Sequence, residues 1–264
     1  MIFEKREIAP EIAIRSVHTA FIRTYNRFVF MGETHPMWEL GYVLSGDCIF
    51  TTGSGVYRAS KGALLLHSPH LLHGLNAEQG SVTIMTISFE GEGLTKHLRG
   101  GRFSVGDKER RLLELLEKEI LKHSHTPLDL TLLKSLLESL LLMMMQKESA
   151  VAEPKPLSAE AQTFSELVHY MEQNVCKGIT TEEMESVSHR CATAIRNIFH
   201  KYAGMSPIEY FCALRLGYAK TLLEQGLNVT ETSNEMNFSD PGYFSAFFKR
   251  REGISPSEYK KRFR

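Results

Sequence analysis

The spacing of hydrophobic positions changes twice along this chain. Between about Ile12 and Phe89 they come in short alternating or unbroken runs, at 28–30, 38–44, 47–51, 55–58, 63–66 and 81–89. Turn-forming residues separate the runs at Ser45-Gly46, 52–55, Lys61-Gly62, Ser68-Pro69 and Gln79-Gly80. Many short strands at such spacing predict a sandwich or a small barrel. From Asp107 the period becomes helical. Leu112, Leu113, Leu115, Leu116 and Ile120 mark a helix over 107–122, with Asp107 as its cap. Pro127 opens a second helix through Lys147, whose stripe (Leu132, Leu133, Leu136, Leu137, Leu140, Leu141, Met143, Met144) is wide. Part of that stripe should cover the sheet. The remainder is either a dimer surface or buried in the protomer's own core. Two prolines, Pro154 and Pro156, then stiffen a linker that neither helix nor sheet accommodates. Everything after Ser158 reads as helical, including an amphipathic segment over 162–174 and a long helix over 207–225. The pattern divides the chain into 1–150, a linker at 151–157, and 158–264.

The C-terminal part carries one pattern twice. The first copy runs through 179–184 and 191–199 to Gly204, Ser206-Pro207 and Tyr210. The second runs through 229–236 and 238–249 to Gly253, Ser255-Pro256 and Tyr259. Each copy is a short helix, a tight turn, and a second helix ending in Phe, a basic residue and Gly-x-Ser-Pro. Helix-turn-helix units lay their second helix in the DNA major groove. Two units joined by one helix predict a protein that reads two groove segments on one face of a duplex.

Composition adds limits. The 264 residues suffice for two domains, and 42% hydrophobic with 23% charged residues supports a folded core. The N-terminus has mixed charge and no apolar run, so no signal peptide is expected. The longest apolar stretch, 136–145, is too short and too polar-flanked to span a membrane. Cys48, Cys176, Cys191 and Cys212 show no paired spacing, which suits a cytoplasmic protein with reduced thiols. Formal net charge is zero, but its distribution is uneven: residues 158–195 sum to −4 and residues 196–264 to +4. Positive charge gathers at 249–251 and 260–264, and phosphate attraction needs a local basic face rather than a basic total.

Roughly from Gln162 to Lys261 the chain resembles the AraC family of transcription regulators. The resemblance rests on Arg215-Leu216, Ala219-Lys220 and Leu222-Leu223 in the joining helix, on Asn237-Phe238-Ser239-Asp240, and on Phe248-Lys249-Arg250, Gly253, Ser255-Pro256 and Tyr259. Asn237 stands where glycine is usual, and asparagine is among the few other residues that tolerate positive φ. Ser239 is expected to cap the following helix, with Pro241 in its first turn. Phe244, Phe247 and Phe248 should be core anchors. In the first unit the resemblance places Thr193, Arg196, Asn197 and Lys201 on the base-reading face; arginine suits guanine and asparagine suits adenine. The second unit offers Pro241, Gly242, Tyr243, Ser245 and Ala246 there, with alanine where the family commonly has arginine. Phosphate contacts from Ser239, Ser245 and Lys249, and an apolar touch from Tyr243, are therefore expected. The first unit departs from the pattern at Glu185, where the family has a small alanine at the helix crossing. A carboxylate there is costly unless the helix shifts or ends early, so a distorted first unit is expected.

In the N-terminal part, Glu33, His35, Glu39 and Gly46 resemble the first cupin motif, and Gly62, Pro69 and His73 a shortened second one. In enzymatic cupins such positions hold a metal, so the resemblance implies Glu33, His35, Glu39 and His73 as mixed nitrogen and oxygen ligands. That gives an alternative reading, a metal-dependent cupin enzyme with an appended helical domain. One motif histidine is missing, so neither metal nor cofactor is assigned, and the barrel is read as a small-molecule pocket. His35, Trp38, Glu39, Tyr42, Phe50, Tyr57 and His73 are its expected lining, suited to a sugar or another polar metabolite. The expected fold is thus α+β and multidomain: a cupin-like β-barrel with two C-terminal helices, followed by an all-α double helix-turn-helix domain. The expected function is non-enzymatic regulation of transcription, by a homodimer that binds double-stranded DNA under control of a small-molecule effector and does not engage a membrane.

Overall fold

The computed structural model describes residues 11–52, 55–77, 80–98, 100–146 and 158–262, without the side chains of Met31, Glu33, Lys96 and His97. The expected linker at 151–157 lies outside the described residues. In chain order the first part contains β1 (Ala13–Asn26), β2 (Val29–Glu33), β3 (Trp38–Thr52), β4 (Gly55–Ser60), β5 (Leu64–His67), β6 (His73–Asn76), β7 (Ser81–Glu92), a short α1 (Leu94–His97), β8 (Gly101–Phe103), α2 (Asp107–Ile120) and α3 (Pro127–Gln146).

Strand β3 organises the sheet. Its first half pairs with β5 and β7, and its second half with β4 and β6. All pairings are antiparallel, in the order β1-β7-β3-β5-β8, while β2-β6 and β4 complete a second layer on the far half of β3. The turn expected at Ser45-Gly46 is instead a bend within this one strand. Gly46 has φ 77°, the register with β7 shifts between Val43 and Ser45, and a Cβ at Gly46 would run into the Ser81 carbonyl. A bulge of this kind lets one strand serve two layers.

Alternation along β3 sends Trp38 and Leu40 to one face. There Leu113, Leu116, Leu133, Leu137, Leu140, Leu141 and Met144 of α2 and α3 cover them, together with Leu64, Leu66, Ile87 and Phe89. Gly106, not Asp107, is the N-cap of α2, and its N–H donates to the Glu109 carboxylate at 2.9 Å. The wide stripe of α3 is divided, because Leu132 is 45% exposed while Leu137 and Leu140 are fully buried. Complete burial in the protomer's own core is therefore ruled out for this helix.

The C-terminal helices are α4 (Ala159–Gln173), α5 (Thr181–Ser188), α6 (Ala192–Ala203), α7 (Pro207–Glu224), α8 (Val229–Glu235), α9 (Pro241–Glu252) and α10 (Pro256–Lys261). The duplication extends to their ends. Thr180/Glu183 and Asn228/Glu231 box the starts of α5 and α8, and Ser206/Glu209 and Ser255/Glu258 those of α7 and α10. Each such cap is worth about 1 kcal/mol. His189 and Asn237, at the turn of each unit, share φ 52°, and Gly204 and Gly253 close the second helices in the left-handed region.

Sheet and helices are joined. Val56 of β4 and Leu72 belong to the same buried cluster as Phe164, Phe199 and Tyr210. The Thr51 hydroxyl donates to the Tyr202 carbonyl at 2.9 Å, and the Val56 N–H to the Ser165 hydroxyl at 3.3 Å. The bend in β3 supplies a test of the sheet. Gly46→Ala should destabilise the protein by about 2–3 kcal/mol and lower its thermal midpoint by roughly 5–10 °C. An unchanged midpoint in a melting experiment would contradict the single-strand bend.

Candidate ligand pocket and nucleic-acid interface

The inner face of β3 carries Glu39 and Gly41, one residue out of phase with Trp38 and Leu40. They border a cavity of about 280 Å³ closed by Tyr25, Phe30, Phe50, His67, His73, Leu75, Ile84 and Thr86, with Phe21, Arg23 and Phe28 at its rim. His35 joins the site through the carboxylate, its Nε2 lying 3.5 Å from Glu39 Oε2, while His73 Nε2 lies 3.6 Å from Oε1. The three rings form a column, with His35 to His73 at 4.7 Å and His73 to His67 at 4.5 Å between centroids. The Ser88 hydroxyl donates to Glu39 at 3.1 Å and fixes the carboxylate from the β7 side. Burial opposes the charge on Glu39, but the His35 contact and the field of His73 outweigh it and hold the carboxyl below the usual carboxylate range. Burial and the adjoining His73 push His67 down to about 3, so it is neutral near pH 7.

Sequence reading missed His67. Its place at the end of the apolar run 63–66, in phase with Leu65 on the cavity side of β5, was the available signal; Glu39 is its direct cross-strand partner. Of the expected lining, His35, Glu39, Phe50 and His73 come together. Trp38, Tyr42 and Tyr57 do not. Trp38 is 3% exposed in the core on the other face of β3. Tyr42 points the same way, where Arg110, Glu114 and Glu117 of α2 act on its hydroxyl. Tyr57 lies on β4, which α4 covers, near enough to Tyr210 for the two phenols to interact. Strand alternation excludes Trp38 and Tyr42 from a cavity that Glu39 faces.

His35, Glu39 and His73 present ligand atoms within 4.8 Å of one another. His35 Nδ1 contacts the Met37 carbonyl and His73 Nδ1 the Leu71 carbonyl, each at 3.1 Å. A carbonyl only accepts, so each Nδ1 carries the hydrogen and each Nε2 faces Glu39. That orientation is the one found in metal-ligating histidines, and two imidazoles with a carboxylate suit a divalent transition metal. These residues therefore fit a metal. Glu33, the fourth expected ligand, has its side chain outside the described set. A larger crevice of about 990 Å³ lies between the sheet and the helices, bordered by Trp38, Leu71, Cys176, Tyr218 and Glu224 among others. At its edge Arg15 and Glu92 pair with each other at 2.7 Å. Glu90, Glu172, Gln173 and Gln225 also border this crevice, whereas the smaller cavity gathers Glu39, His67 and His73 at ring and carboxylate contact.

On the helical side, Thr193, Arg196 and Asn197 are exposed along α6, opposite buried Ile195, Ile198 and Phe199. Lys201 is held by Glu160 at 2.5 Å. Glu185 does not distort the unit. Its carboxylate accepts the Ala192 N–H at 2.6 Å and so caps α6, whose own N-cap residue, Cys191, makes no side-chain cap. In the second unit Asp240, not Ser239, is the N-cap and accepts the Tyr243 N–H at 2.8 Å. Ser239 is exposed beside it. The Ser245 hydroxyl donates back to the Pro241 carbonyl at 2.8 Å and is half-buried, whereas Tyr243 (56% exposed) and Lys249 face out. Phe244, Phe247 and Phe248 are buried as expected.

Residues 17–153 match the profile of the AraC-like ligand binding domain, and residues 189–262 that of a helix-turn-helix domain. The chain belongs to the AraC family of transcriptional regulators. It is a sequence-specific DNA-binding regulator of the AraC type, with an N-terminal domain that binds a controlling small molecule. Among its relatives, the HTH-type transcriptional regulator YisR of Bacillus subtilis is 25% identical over 87% of this chain and 89% of its own length. The transcriptional activator RhaR of Escherichia coli is 22% identical over 89% of each chain. ToxT of Vibrio cholerae overlays at a TM-score of 0.39 with 11% identity, covering 93% of this chain and 99% of its own. Among the described residues no helix is long and apolar enough to cross a membrane.

The depressed His67 sets a pH dependence. The unfolded chain takes up a proton near pH 6.5, which folded His67 refuses until about pH 3. Its contribution to stability is therefore complete above pH 6.5 and is lost as pH falls, at up to about 1.4 kcal/mol per pH unit. Between pH 6.5 and 5, denaturant melts of wild type should lose stability with this slope and His67→Phe should lose less; equal slopes would show that His67 titrates freely.

Proposed function

We propose that residues 1–150 form the sensor, 151–157 the linker and 158–264 the DNA reader, with the cavity at Glu39 as the effector site. His35, Glu39, Phe50, His67 and His73 bind the effector, and Thr86 and Arg23 add hydrogen-bonding groups at its edge. The observation that carries this reading is the convergence of one carboxylate and three imidazoles on a small aromatic-walled cavity. Carbon-rich faces stack on Phe30 and Phe50 while hydroxyls meet Glu39 and the imidazoles, which supports a sugar or another compact polyhydroxylated metabolite.

Arg196 and Asn197 read base edges from α6, with Thr193 beside them. Tyr243, Ser239 and Lys249 position the second unit on the backbone. The engaged Lys201 and the inward Ser245 contribute less. Exposed Leu128, Leu132 and Leu142, which share one face of α3, support a homodimer in which two copies pair along this helix. Effector binding then changes the placement of two readers on paired half-sites. Free thiols at Cys48, Cys176, Cys191 and Cys212 agree with action in the cytoplasm.

A second reading, a metal-dependent enzyme, is favoured by the fit of His35, Glu39 and His73 to a cation. Stoichiometric iron, manganese or zinc in purified protein, lost on His35→Ala together with a turnover activity, would support it. The regulatory reading is tested on a duplex selected from random DNA. Arg196→Ala and Asn197→Ala should each weaken binding by about 10- to 100-fold in a gel shift and relax the base preference at one position. Wild-type affinity and selectivity in both variants would remove α6 as the reading helix.

A further inference from the structure

The two innermost imidazoles of the pocket, His67 and His73, end β5 and begin β6, and residues 68–72 connect them. This connection leaves the sheet and lands on the DNA-binding helices. Leu72 is buried in the core of the first unit. His70 goes further. Its backbone N–H donates to the carbonyl of His35, itself a pocket residue, at 2.8 Å. Its side chain, 2% exposed, meets Glu224 at the end of α7 with Nε2 to Oε1 at 2.9 Å. The same Oε1 accepts the Tyr259 hydroxyl of α10 at 2.5 Å. Tyr259 in turn packs on Phe248 of α9 in the core of the second unit, ring centroids 5.4 Å apart.

Two further features show that this contact is built. His70 adopts φ 62°, a conformation costing a non-glycine residue about 1 kcal/mol or more. Gly217 of α7 faces it, and a Cβ there would sit 2.5 Å from the His70 carbonyl oxygen. The close approach thus requires both a glycine on the helix and an unfavourable backbone on the loop. His70 is 2% and Glu224 24% exposed, so losing one member of the set leaves a largely desolvated partner unsatisfied, which favours keeping the three in contact.

We propose that residues 68–72 are the transmission element of this regulator, tying the imidazole–carboxylate pocket to the second helix-turn-helix unit through His70, Glu224 and Tyr259. The proposal rests on reading that pocket as the effector site. A ligand that repositions His35, His67 or His73 displaces the loop at its ends and at the His35 carbonyl. His70 then pulls on a carboxylate shared with α10. Coupling of this kind is reciprocal, so occupancy of DNA by the second unit biases the pocket as well.

The test is a double-mutant cycle read by hydrogen–deuterium exchange on the full chain. Gly41→Val places bulk inside the cavity and serves as a surrogate for a bound ligand. It should change exchange at residues 256–262 by at least fivefold. In a His70→Ala background the same substitution should change it by less than twofold. The cycle repeated with Tyr259→Phe, which deletes one hydroxyl, should give the same loss of coupling and does not depend on how His70→Ala folds. The proposal is overturned if Gly41→Val leaves residues 256–262 unchanged, or changes them equally in all three backgrounds. A gel shift on the selected duplex, run in parallel, keeps the outcomes separable. Uncoupled exchange with DNA binding still sensitive to Arg196→Ala removes the transmission element and leaves the regulatory reading standing.

Discussion

Sheet and reader share one apolar cluster, and the functional account depends on that. Val56 and Leu72 are buried among Phe164, Phe199 and Tyr210, in the core that holds α6 on α4. Burying two such aliphatic side chains is worth about 3–6 kcal/mol in total. Allosteric couplings are typically about 1–3 kcal/mol. The join therefore outweighs a typical coupling, so a ligand's differential affinity moves sheet and reader as joined bodies rather than separating them. Thr51 and Ser165 add direct polar contacts to the same seam.

Within the sheet, the two faces of β3 divide the labour. Trp38 and Leu40 seat α2 and α3, and Glu39 and Gly41 line the cavity. The bend at Gly46 allows the rest of β3 to wrap around the other side, bringing Phe50 to within 6.0 Å of the His67 ring. The carboxylate sits where β3, β5 and β7 meet, held by Ser88 from one side and the histidines from the other. Its charge survives burial because the His35 contact, the Ser88 hydroxyl and the field of His73 favour the ionised form.

Much of this was legible in the sequence, and the failures have physical causes. The duplicated helix ends and turns could be read directly because Gly, Asn, Ser and Pro at fixed offsets answer local backbone demands, as the positive φ of Asn237 bears out. His189 at the equivalent turn was harder to read, since histidine is a weaker turn signal than glycine or asparagine. Glu185 looked disruptive from its position alone. Only the fold places its carboxylate on the Ala192 N–H. Residue type alone points Trp38, Tyr42 and Tyr57 to the pocket, and alternation or the cover of α4 puts them elsewhere. β1 went unmarked because few of its side chains are buried and its polar and apolar residues do not alternate cleanly. His70 was invisible as a functional residue, because its partner Glu224 lies 154 positions away.

The reader itself is asymmetric. The first unit exposes Arg196 and Asn197 on a well-capped helix, and the second exposes Tyr243, Ala246 and Lys249, which carry little base information. Specificity should thus concentrate in one half of the contacted DNA, with the other half serving for position. Hydroxyl-radical footprinting on a duplex selected from random DNA tests this most directly. The account requires two protected windows on one face of the helix, about 10 base pairs apart, with sequence enrichment strong under the first and weak under the second. A failure to enrich any sequence, or a single protected window, would contradict it.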